Sequence, residues 1–259
     1  MSFRLVPYGV MSGMSLSSHE RRNLFYKLYT VSPSGEPSQF LGTAFPIAPN
    51  GGLLTCRHVV DISLPPDFAV AVFDNERDRF NPLPIPPIYP NNKSVDLAYL
   101  PNALSRPKTE FFPILSPNDL KIGEGVYTFG YFAIGGDSRS IEQGYFAGKI
   151  VNFFNYEKSN ASASFTLPYA ILEGMSGSPV LTYHSGPKVV GICIGNRNSR
   201  ILASEIVEYK DDRREFKESV NRIVEFGVAH HCAAIAVFLS QVGARDFIVS
   251  SGQVEVPNL

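Results

Sequence analysis

The most informative segment of this chain is Glu173-Gly174-Met175-Ser176-Gly177-Ser178-Pro179, in which a serine lies between two glycines and a proline closes the run. Glycine adopts backbone angles that other residues resist, so the neighbouring N–H groups can turn toward one point beside an outward-facing hydroxyl. Such a segment suits a serine nucleophile. The same residue types also favour an ordinary turn, and the rest of the chain must decide between these interpretations.

The composition favours an all-β protein. Of the 259 residues, 44% are hydrophobic and 18% are charged, which excludes a disordered chain. The 21 glycines and 20 prolines indicate many turns and short elements, and this length accommodates one large all-β domain or two small barrels. Because the net charge is −1 with no long run of one sign, we expect neither nucleic acid nor a membrane as a partner.

The cysteines and the N-terminal segment bear on the compartment. The spacing of Cys56, Cys193 and Cys232 fits neither a metal site nor a disulfide framework, so we expect a reducing environment and no metal or other cofactor. Prolines and glycines interrupt the first 18 residues too soon for a signal peptide. These features predict a cytoplasmic protein.

Two further stretches place a histidine and an aspartate beside predicted strands. His58 lies just past the end of a predicted strand that begins at Leu53, after the turn signal Asn50-Gly51-Gly52. Asp96 opens the apolar run 97–100, where a half-buried carboxylate needs a hydrogen-bond donor to keep its charge. Taken singly, His58 is typical of a surface residue and Asp96 of a strand cap. Taken together, they could supply a base and the carboxylate that orients it.

Helical spacing occurs twice toward the C-terminus. Apolar residues at 216, 220, 223 and 224 interrupt a charged stretch and predict a helix with one buried face within 198–225. Apolar residues at 228, 232, 235, 238, 239 and 242 predict a C-terminal helix that ends at Gly243. His230 and His231 are interpreted as packing or surface residues.

The order His58, Asp96, Ser176 and the surrounding residues resemble the chymotrypsin-like serine peptidases. Thr55-Cys56-Arg57-His58-Val59-Val60 is similar to the family's Thr-Ala-x-His-Val/Cys segment, and Asp96-Leu97-Ala98-Tyr99-Leu100 to its Asp-Ile/Leu-Ala-x-Leu segment. Gly174-Met175-Ser176-Gly177-Ser178-Pro179 is similar to Gly-x-Ser-Gly-Gly-Pro. The resemblance covers roughly residues 23 to 242. An esterase of the α/β-hydrolase type is excluded, because its residues run Ser, Asp, His and its fold needs βα alternation.

The resemblance implies an all-β fold of two antiparallel six-stranded β-barrels with a C-terminal helix. We assign an N-terminal arm at 1–22, a first barrel at 23–110, a linker at 111–122, a second barrel at 123–229 with a helical insertion at 198–225, and a C-terminal helix and tail at 230–259. His58 and Asp96 would then come from the first barrel and Ser176 from the second.

The resemblance also implies a hydrolase, a trypsin-like serine protease that acts on a protein or peptide substrate. His58 would withdraw the proton of Ser176, Asp96 would stabilise the imidazolium, and the N–H groups of Gly174 and Ser176 would bind the oxyanion. The substrate pocket would be lined by neutral residues, namely Ala170, Ile194, Gly195, Asn196 and Gly227. We therefore expect preference for a small or apolar substrate side chain.

One position departs from the secreted members of the family. Met175 stands where they carry an acidic residue, which pairs with a new N-terminus after cleavage of a precursor. We therefore expect that this chain needs no such cleavage.

Two alternatives stay open at this point. The chain could keep the fold and use its cleft only to bind a peptide, although family members that do so usually lose a triad residue. The charged segment 198–225 could pack on the surface, or it could cover the cleft until a regulatory protein partner or a substrate binds.

Overall fold

The computed structural model describes residues 24–48, 50–104, 111–135, 137–156, 162–183, 186–210 and 213–243. The predicted N-terminal arm at 1–22 lies outside these residues, as does the part of the predicted tail that follows residue 243. Strands dominate the described residues, which confirms the all-β prediction. No helix among these residues is long and apolar enough to cross a membrane.

The first sheet contains six antiparallel strands. They are β1 (Tyr26–Val31), β2 (Pro37–Pro46), β3 (Leu53–Thr55), β4 (Ala69–Asp74), β5 (Arg79–Pro82) and β6 (Ala98–Leu100). Their order is β5-β4-β1-β2-β3-β6. Strand β1 is rich in aromatic and β-branched residues and alternates at its start, with Tyr26, Leu28 and Thr30 buried and the residues between them only partly covered. A single helical turn, α1 (Arg57–Val60), follows β3.

The second sheet contains seven antiparallel strands, one more than the six predicted for each barrel. They are β7 (Gly125–Ile134), β8 (Asp137–Lys149), β9 (Asn152–Tyr156), β10 (Ser162–Leu167), β11 (Pro179–Thr182), β12 (Lys188–Lys210) and β13 (Arg213–His231). Their order is β8-β7-β11-β12-β13-β10-β9. The residues between the two sheets include a short 3₁₀ turn at Pro117–Asp119.

The predicted C-terminal helix is confirmed as α2 (Cys232–Gln241). It begins where β13 ends, and Ile235, Phe238 and Leu239 bury one face against the body of the protein. Gly243 follows with a φ of +75°, the left-handed conformation in which a glycine commonly ends a helix.

The predicted helical insertion at 198–225 is wrong. Strands β12 and β13 continue through it as an antiparallel pair that extends to Lys210 and Arg213. The spacing of the apolar residues fits a helix, but Val220, Ile223 and Val224 are β-branched, which favours a strand. Of the apolar residues that predicted a buried helical face, Val220 and Ile223 are exposed and Val224 is only partly buried. We call residues 197–210 and 213–226 the ribbon.

The two sheets share one hydrophobic core. Its buried residues include members of both sheets and of α2. At the junction, the ring of Phe25 lies 5.7 Å from that of Phe112 and 5.6 Å from that of Phe129 in β7. This continuous packing fixes the loops of one sheet against those of the other.

Candidate active site

His58 and Asp96 are in direct contact. Strands β3 and β6 pair so that Thr55 lies opposite Ala98, which brings the residues after β3 beside those before β6. The Nδ1 atom of His58 lies 2.5 Å from Oδ2 of Asp96, and the backbone N–H of His58 donates to Oδ1 at 3.0 Å. One carboxylate thus holds both the ring and the backbone of the histidine.

Asp96 is stabilised in its charged form. Burial by itself would raise the pKa of this carboxyl, but the hydrogen bonds and charge of His58 hold the pKa below its ordinary value. An ionised carboxylate at Nδ1 fixes the histidine tautomer and leaves Nε2 to accept a proton. The side chain of His58 is 48% exposed, so a substrate can approach the ring.

A third residue, His230, forms a hydrogen bond with the backbone of Asp96. The backbone N–H of Asp96 donates to Nε2 of His230 at 3.0 Å, and Nδ1 of His230 lies 3.1 Å from the hydroxyl oxygen of Ser164. His230 is fully buried, and burial lowers its pKa to about 4, although Asp96 acts in the opposite direction. The ring is therefore neutral at pH 7, with Nε2 as the acceptor.

His230 differs from its interpretation as a simple packing or surface residue. It is a buried hydrogen-bonding residue, and its contact with Asp96 joins positions 134 residues apart. Local sequence carries no signal for such a contact. His231 packs edge-on against Phe153 and Phe165, and it also accepts the N–H of Ala233 at the start of α2.

Residues 173–179, which we call the serine loop, leave three backbone donors without partners among the described residues. The N–H groups of Met175, Gly177 and Ser178 donate to Leu172, Cys193 and Met175 respectively, each at 2.9 Å. Those of Glu173, Gly174 and Ser176 form no hydrogen bond within the described part of the chain, and the last two flank Met175 beside the nucleophile. The φ angles of +93° at Gly174 and +86° at Gly177 produce this arrangement, which suits an anionic oxygen.

The carbonyl groups of the serine loop fix where the N–H groups of Gly174 and Ser176 point. Glu173 O accepts from the N–H of Ala133 in β7 at 3.0 Å, and Met175 O accepts from Ser178. Within a trans peptide the N–H points away from the C=O, so anchoring each carbonyl also orients the N–H of the next residue. The donors of Gly174 and Ser176 are thus held by the fold.

Met175, which by the resemblance stands where secreted members carry an acidic residue, is fully buried. Its thioether sulfur accepts the N–H of Leu172 at 3.4 Å, while its own N–H donates to Leu172 O. A buried carboxylate at this point would need a cationic partner, whereas the thioether needs none.

The serine loop packs against the segment that carries His58. The N–H of Thr43 in β2 donates to Ser176 O at 3.0 Å. A side-chain carbon added at Gly42 would lie 2.9 Å from Ser176 O and 3.1 Å from a methyl group of Val59, the residue after His58. The hydroxyl of Ser176 makes no hydrogen bond to His58 or to any other described residue.

Of the residues predicted to form the substrate pocket, Asn196 and Gly227 hold the chain that precedes the serine loop. The side chain of Asn196 accepts the N–H of Ile171 at 2.6 Å and donates to Ile171 O at 2.9 Å. The N–H of Gly227 donates to Tyr169 O at 2.7 Å. Both neighbours of Ala170 are therefore anchored.

The remaining predicted pocket residues, Ile194 and Gly195, lie beside Asn196 on β12, with Ile194 buried and Gly195 partly exposed. That these five residues bind a substrate side chain stays a prediction.

One group of three potential metal ligands occurs among the described residues. The ligand atoms of Cys56, His58 and Asp96 lie within 4.8 Å of one another. The carboxylate and Nδ1 are already hydrogen-bonded to each other, and the thiol donates to Cys193 O at 3.1 Å. Burial raises the pKa of the Cys56 thiol well above its ordinary value, so the group is not a ready thiolate ligand. This donor set fits a hydrogen-bonded site better than a metal site.

Three solved structures show the same fold. The protease Rv3671c from M. tuberculosis in its active form has a TM-score of 0.52 and 16% identity, covering 99% of this chain and 97% of that chain. Its inactive form has a TM-score of 0.53 and 19% identity, covering 86% and 90%. The HtrA-type protease AlgW with a tripeptide has a TM-score of 0.54 and 16% identity, covering 88% and 62%.

A search among curated protein sequences gave no match to this chain. The family model of the trypsin-like peptidase domain, in contrast, matches residues 42–192. This range is more than half of the chain and includes His58, Asp96 and Ser176. The chain therefore belongs to the trypsin-like peptidase family.

Proposed function

We propose that this chain is a serine endopeptidase in which Ser176 is the nucleophile, His58 the general base and Asp96 the orienting carboxylate. The observation that carries the proposal is the His58–Asp96 hydrogen bond, which lies next to a serine loop whose Gly174 and Ser176 N–H groups have no partner among the described residues. Membership of the trypsin-like peptidase family supports the same class of reaction.

The proposed reaction proceeds through an acyl-enzyme. A serine hydroxyl is a weak nucleophile at neutral pH, so Nε2 of His58 takes the proton of Ser176 as its oxygen attacks a peptide carbonyl carbon. Asp96 stabilises the imidazolium that forms. His58 then gives the proton to the leaving amine, and the C–N bond breaks. Water, activated by His58 in the same way, hydrolyses the resulting ester.

Two N–H groups would stabilise the negative charge on the carbonyl oxygen during each attack. The donors of Gly174 and Ser176 are suited to this role because the fold holds them before a substrate arrives. Loss of one such donor typically costs about 3 kcal/mol of transition-state stabilisation.

The Ser176 hydroxyl would have to turn toward His58 in the substrate complex. Such hydrogen bonds are often long or poorly aligned in a free enzyme and shorten when the substrate binds.

The proposed substrate is a protein or peptide with a small or apolar side chain at the cleavage site. The predicted pocket residues are neutral, and the side-chain amide of Asn196 is already hydrogen-bonded to the backbone of Ile171. The structural neighbour AlgW was solved with peptides, which agrees with a peptide ligand for this fold. A peptide-library profile dominated by Arg or Lys would contradict the proposed preference.

We further propose a cytoplasmic location and a regulatory protein partner. Cys56, Cys193 and Cys232 are free and buried, as expected in a reducing compartment. An unrestrained endopeptidase among cytoplasmic proteins would be harmful, and a partner or a narrow specificity would limit it.

Labelling with a fluorophosphonate probe tests the proposed function. The probe should modify the wild-type protein and should not modify Ser176→Ala. Ser178→Ala is a matched control from the same loop, because the buried Ser178 hydroxyl has no hydrogen-bond partner among the described residues and its loss should leave labelling intact. A folded wild-type protein that fails to react would favour the peptide-binding module instead.

A further inference from the structure

Thr43 joins the first sheet to the serine loop at two points, Gly174 and Ser176. It lies in β2 and is fully buried. Its N–H donates to Ser176 O at 3.0 Å, and its carbonyl accepts the hydroxyl of Thr55 at 2.8 Å. Its hydroxyl oxygen lies 3.0 Å from Gly174 O and accepts the N–H of Tyr131 in β7 at 3.0 Å. Every polar atom of this residue is therefore used.

The hydroxyl of Thr43 has a single proton, and the geometry determines where it goes. Tyr131 contributes an N–H, so Thr43 Oγ1 must accept that bond. The proton is then available for a carbonyl, and Gly174 O at 3.0 Å is nearer than Tyr131 O at 3.5 Å. The hydroxyl therefore donates to Gly174 O.

This bond completes the anchoring of Gly174 on both sides. The peptide before its Cα is fixed by the bond from Ala133 to Glu173 O, and the peptide after it is fixed by Thr43. The ring of Phe40, also from β2, closes the space beside Gly174, since a side-chain carbon there would lie 2.2 Å from that ring. With both peptides held, the N–H of Gly174 keeps one direction.

Nothing at Met175 can supply the charged anchor that an acid provides in secreted members of the family. The hydrogen bond from the Leu172 N–H to the Met175 sulfur, at 3.4 Å, is weak because a thioether is a poor acceptor. The hydrogen bond from the Thr43 hydroxyl to Gly174 O is neutral, and the N–H of Tyr131 holds the hydroxyl in place. It can therefore orient the loop without any precursor cleavage.

We propose that Thr43 is a positioning residue whose hydroxyl holds the oxyanion-binding N–H of Gly174 in its productive direction. The proposal rests on the proposed peptidase function. Thr43 does not touch the substrate, and it acts through the Gly174 carbonyl. Its contribution should appear in the transition state, where charge develops on the substrate oxygen, and hardly at all in ground-state binding.

The test compares Thr43→Val with Thr43→Ser on a peptide substrate. Valine keeps the shape and the backbone bonds but removes the hydroxyl, so kcat should fall about 10- to 100-fold with KM within about threefold of wild type. Affinity for a peptide boronate, which mimics the tetrahedral state, should fall by the same factor as kcat. Serine retains the hydroxyl and should restore kcat to within about threefold of wild type.

A matched control is Thr166→Val, which removes a buried threonine hydroxyl that has no partner among the described residues. Its kcat should equal that of the wild type. Should Thr43→Val fail to fold, Thr43→Ala against Thr43→Ser supplies the same comparison, with the circular dichroism spectrum as the check on folding.

The outcomes separate this proposal from the proposed function. A wild-type protein that fluorophosphonate labels, together with a folded Thr43→Val of unchanged kcat, overturns the role of Thr43 alone. A fall in kcat that Thr43→Ser does not reverse also overturns it, because the hydroxyl would not be the cause. A folded wild-type protein that fluorophosphonate does not label overturns the peptidase function itself.

Discussion

The serine loop and the ribbon differ in what holds their backbones. In the serine loop, carbonyl and N–H groups bond to residues from distant parts of the chain, such as Thr43, Ala133 and Cys193. In the ribbon, the two strands bond mainly to each other, from Arg197 opposite Phe226 to Lys210 opposite Arg213. The backbone of the serine loop is thus held by tertiary contacts, whereas that of the ribbon is held by the pairing of its own two strands.

This difference determines which changes the molecule should tolerate. A substitution in the serine loop moves atoms that the fold of both sheets has placed, so its effect reaches the proposed chemistry. Exposed ribbon side chains, such as those of Leu202, Ile206 and Ile223, contribute little to the core.

Asp96→Asn should reduce the rate of fluorophosphonate labelling about 10⁴-fold, because an amide no longer fixes the productive tautomer of His58. Asp61→Asn is the control: this carboxylate lies 3.7 Å from Arg57 but is 60% exposed and does not contact His58. Its labelling rate should match that of the wild type. A rate for Asp96→Asn within tenfold of wild type would remove Asp96 from the proposed triad.

Gly177→Ala should destabilise the protein by roughly 3 kcal/mol or more. The φ of +86° strains any side chain, and the new carbon would lie 2.0 Å from Thr43 O and 2.4 Å from the Thr55 hydroxyl. Gly35→Ala separates these two causes, since its φ is +83° but no atom lies within 4 Å of the added carbon. We expect about 1 kcal/mol there. Urea denaturation measures both free energies of unfolding. Equal losses of stability would show that the close contacts of the added carbon at Gly177 contribute nothing.

Acidification should weaken the fold through His230. Burial lowers the pKa of this residue from 6.5 to about 4, so between these pH values the unfolded chain binds a proton that the folded chain does not. Stability should therefore rise with pH across this window, by about 3 kcal/mol for this one group. His230→Asn should reduce the slope by about one proton, leaving the similar contribution of His231, whose pKa burial also lowers to about 4. Urea denaturation of the wild type and of His230→Asn at pH 4.5 and pH 7 measures the free energy of unfolding. An equal pH dependence in the two proteins would contradict this prediction.

Ile223→Thr in the ribbon should change stability by less than about 0.5 kcal/mol and should leave fluorophosphonate labelling unchanged. The side chain is 58% exposed, and threonine keeps the β-branched shape that favours a strand. A clear change in the labelling rate would show that the ribbon reaches the cleft, which would revive the hypothesis that segment 198–225 covers it.

The sequence predicted the all-β class and the C-terminal helix, because turn residues, strand-like runs and the helical period near the C-terminus are local signals. It also singled out His58, Asp96 and Ser176, since each lies in a short motif. It could not predict the supporting contacts. The bond from Asp96 to His230 spans 134 residues and that from Tyr131 to Thr43 spans 88, and both depend on how the strands pair and pack.

The ribbon was mispredicted for a different reason. Apolar residues at 216, 220, 223 and 224 fit a helix face, but the helix would have needed something to pack against. Pairing between β12 and β13 satisfies the backbone hydrogen bonds of this segment instead. Periodicity alone does not distinguish these outcomes when the apolar residues are few and β-branched.

The most direct test of the proposed triad is the site of fluorophosphonate attachment, mapped by mass spectrometry of proteolytic peptides. We expect one adduct, on Ser176, which forms rapidly in the wild-type protein and at least about 10³-fold more slowly in a folded His58→Ala variant. An adduct on Ser176 that forms equally fast without the imidazole of His58 would contradict the proposed triad, as would an adduct on a different serine.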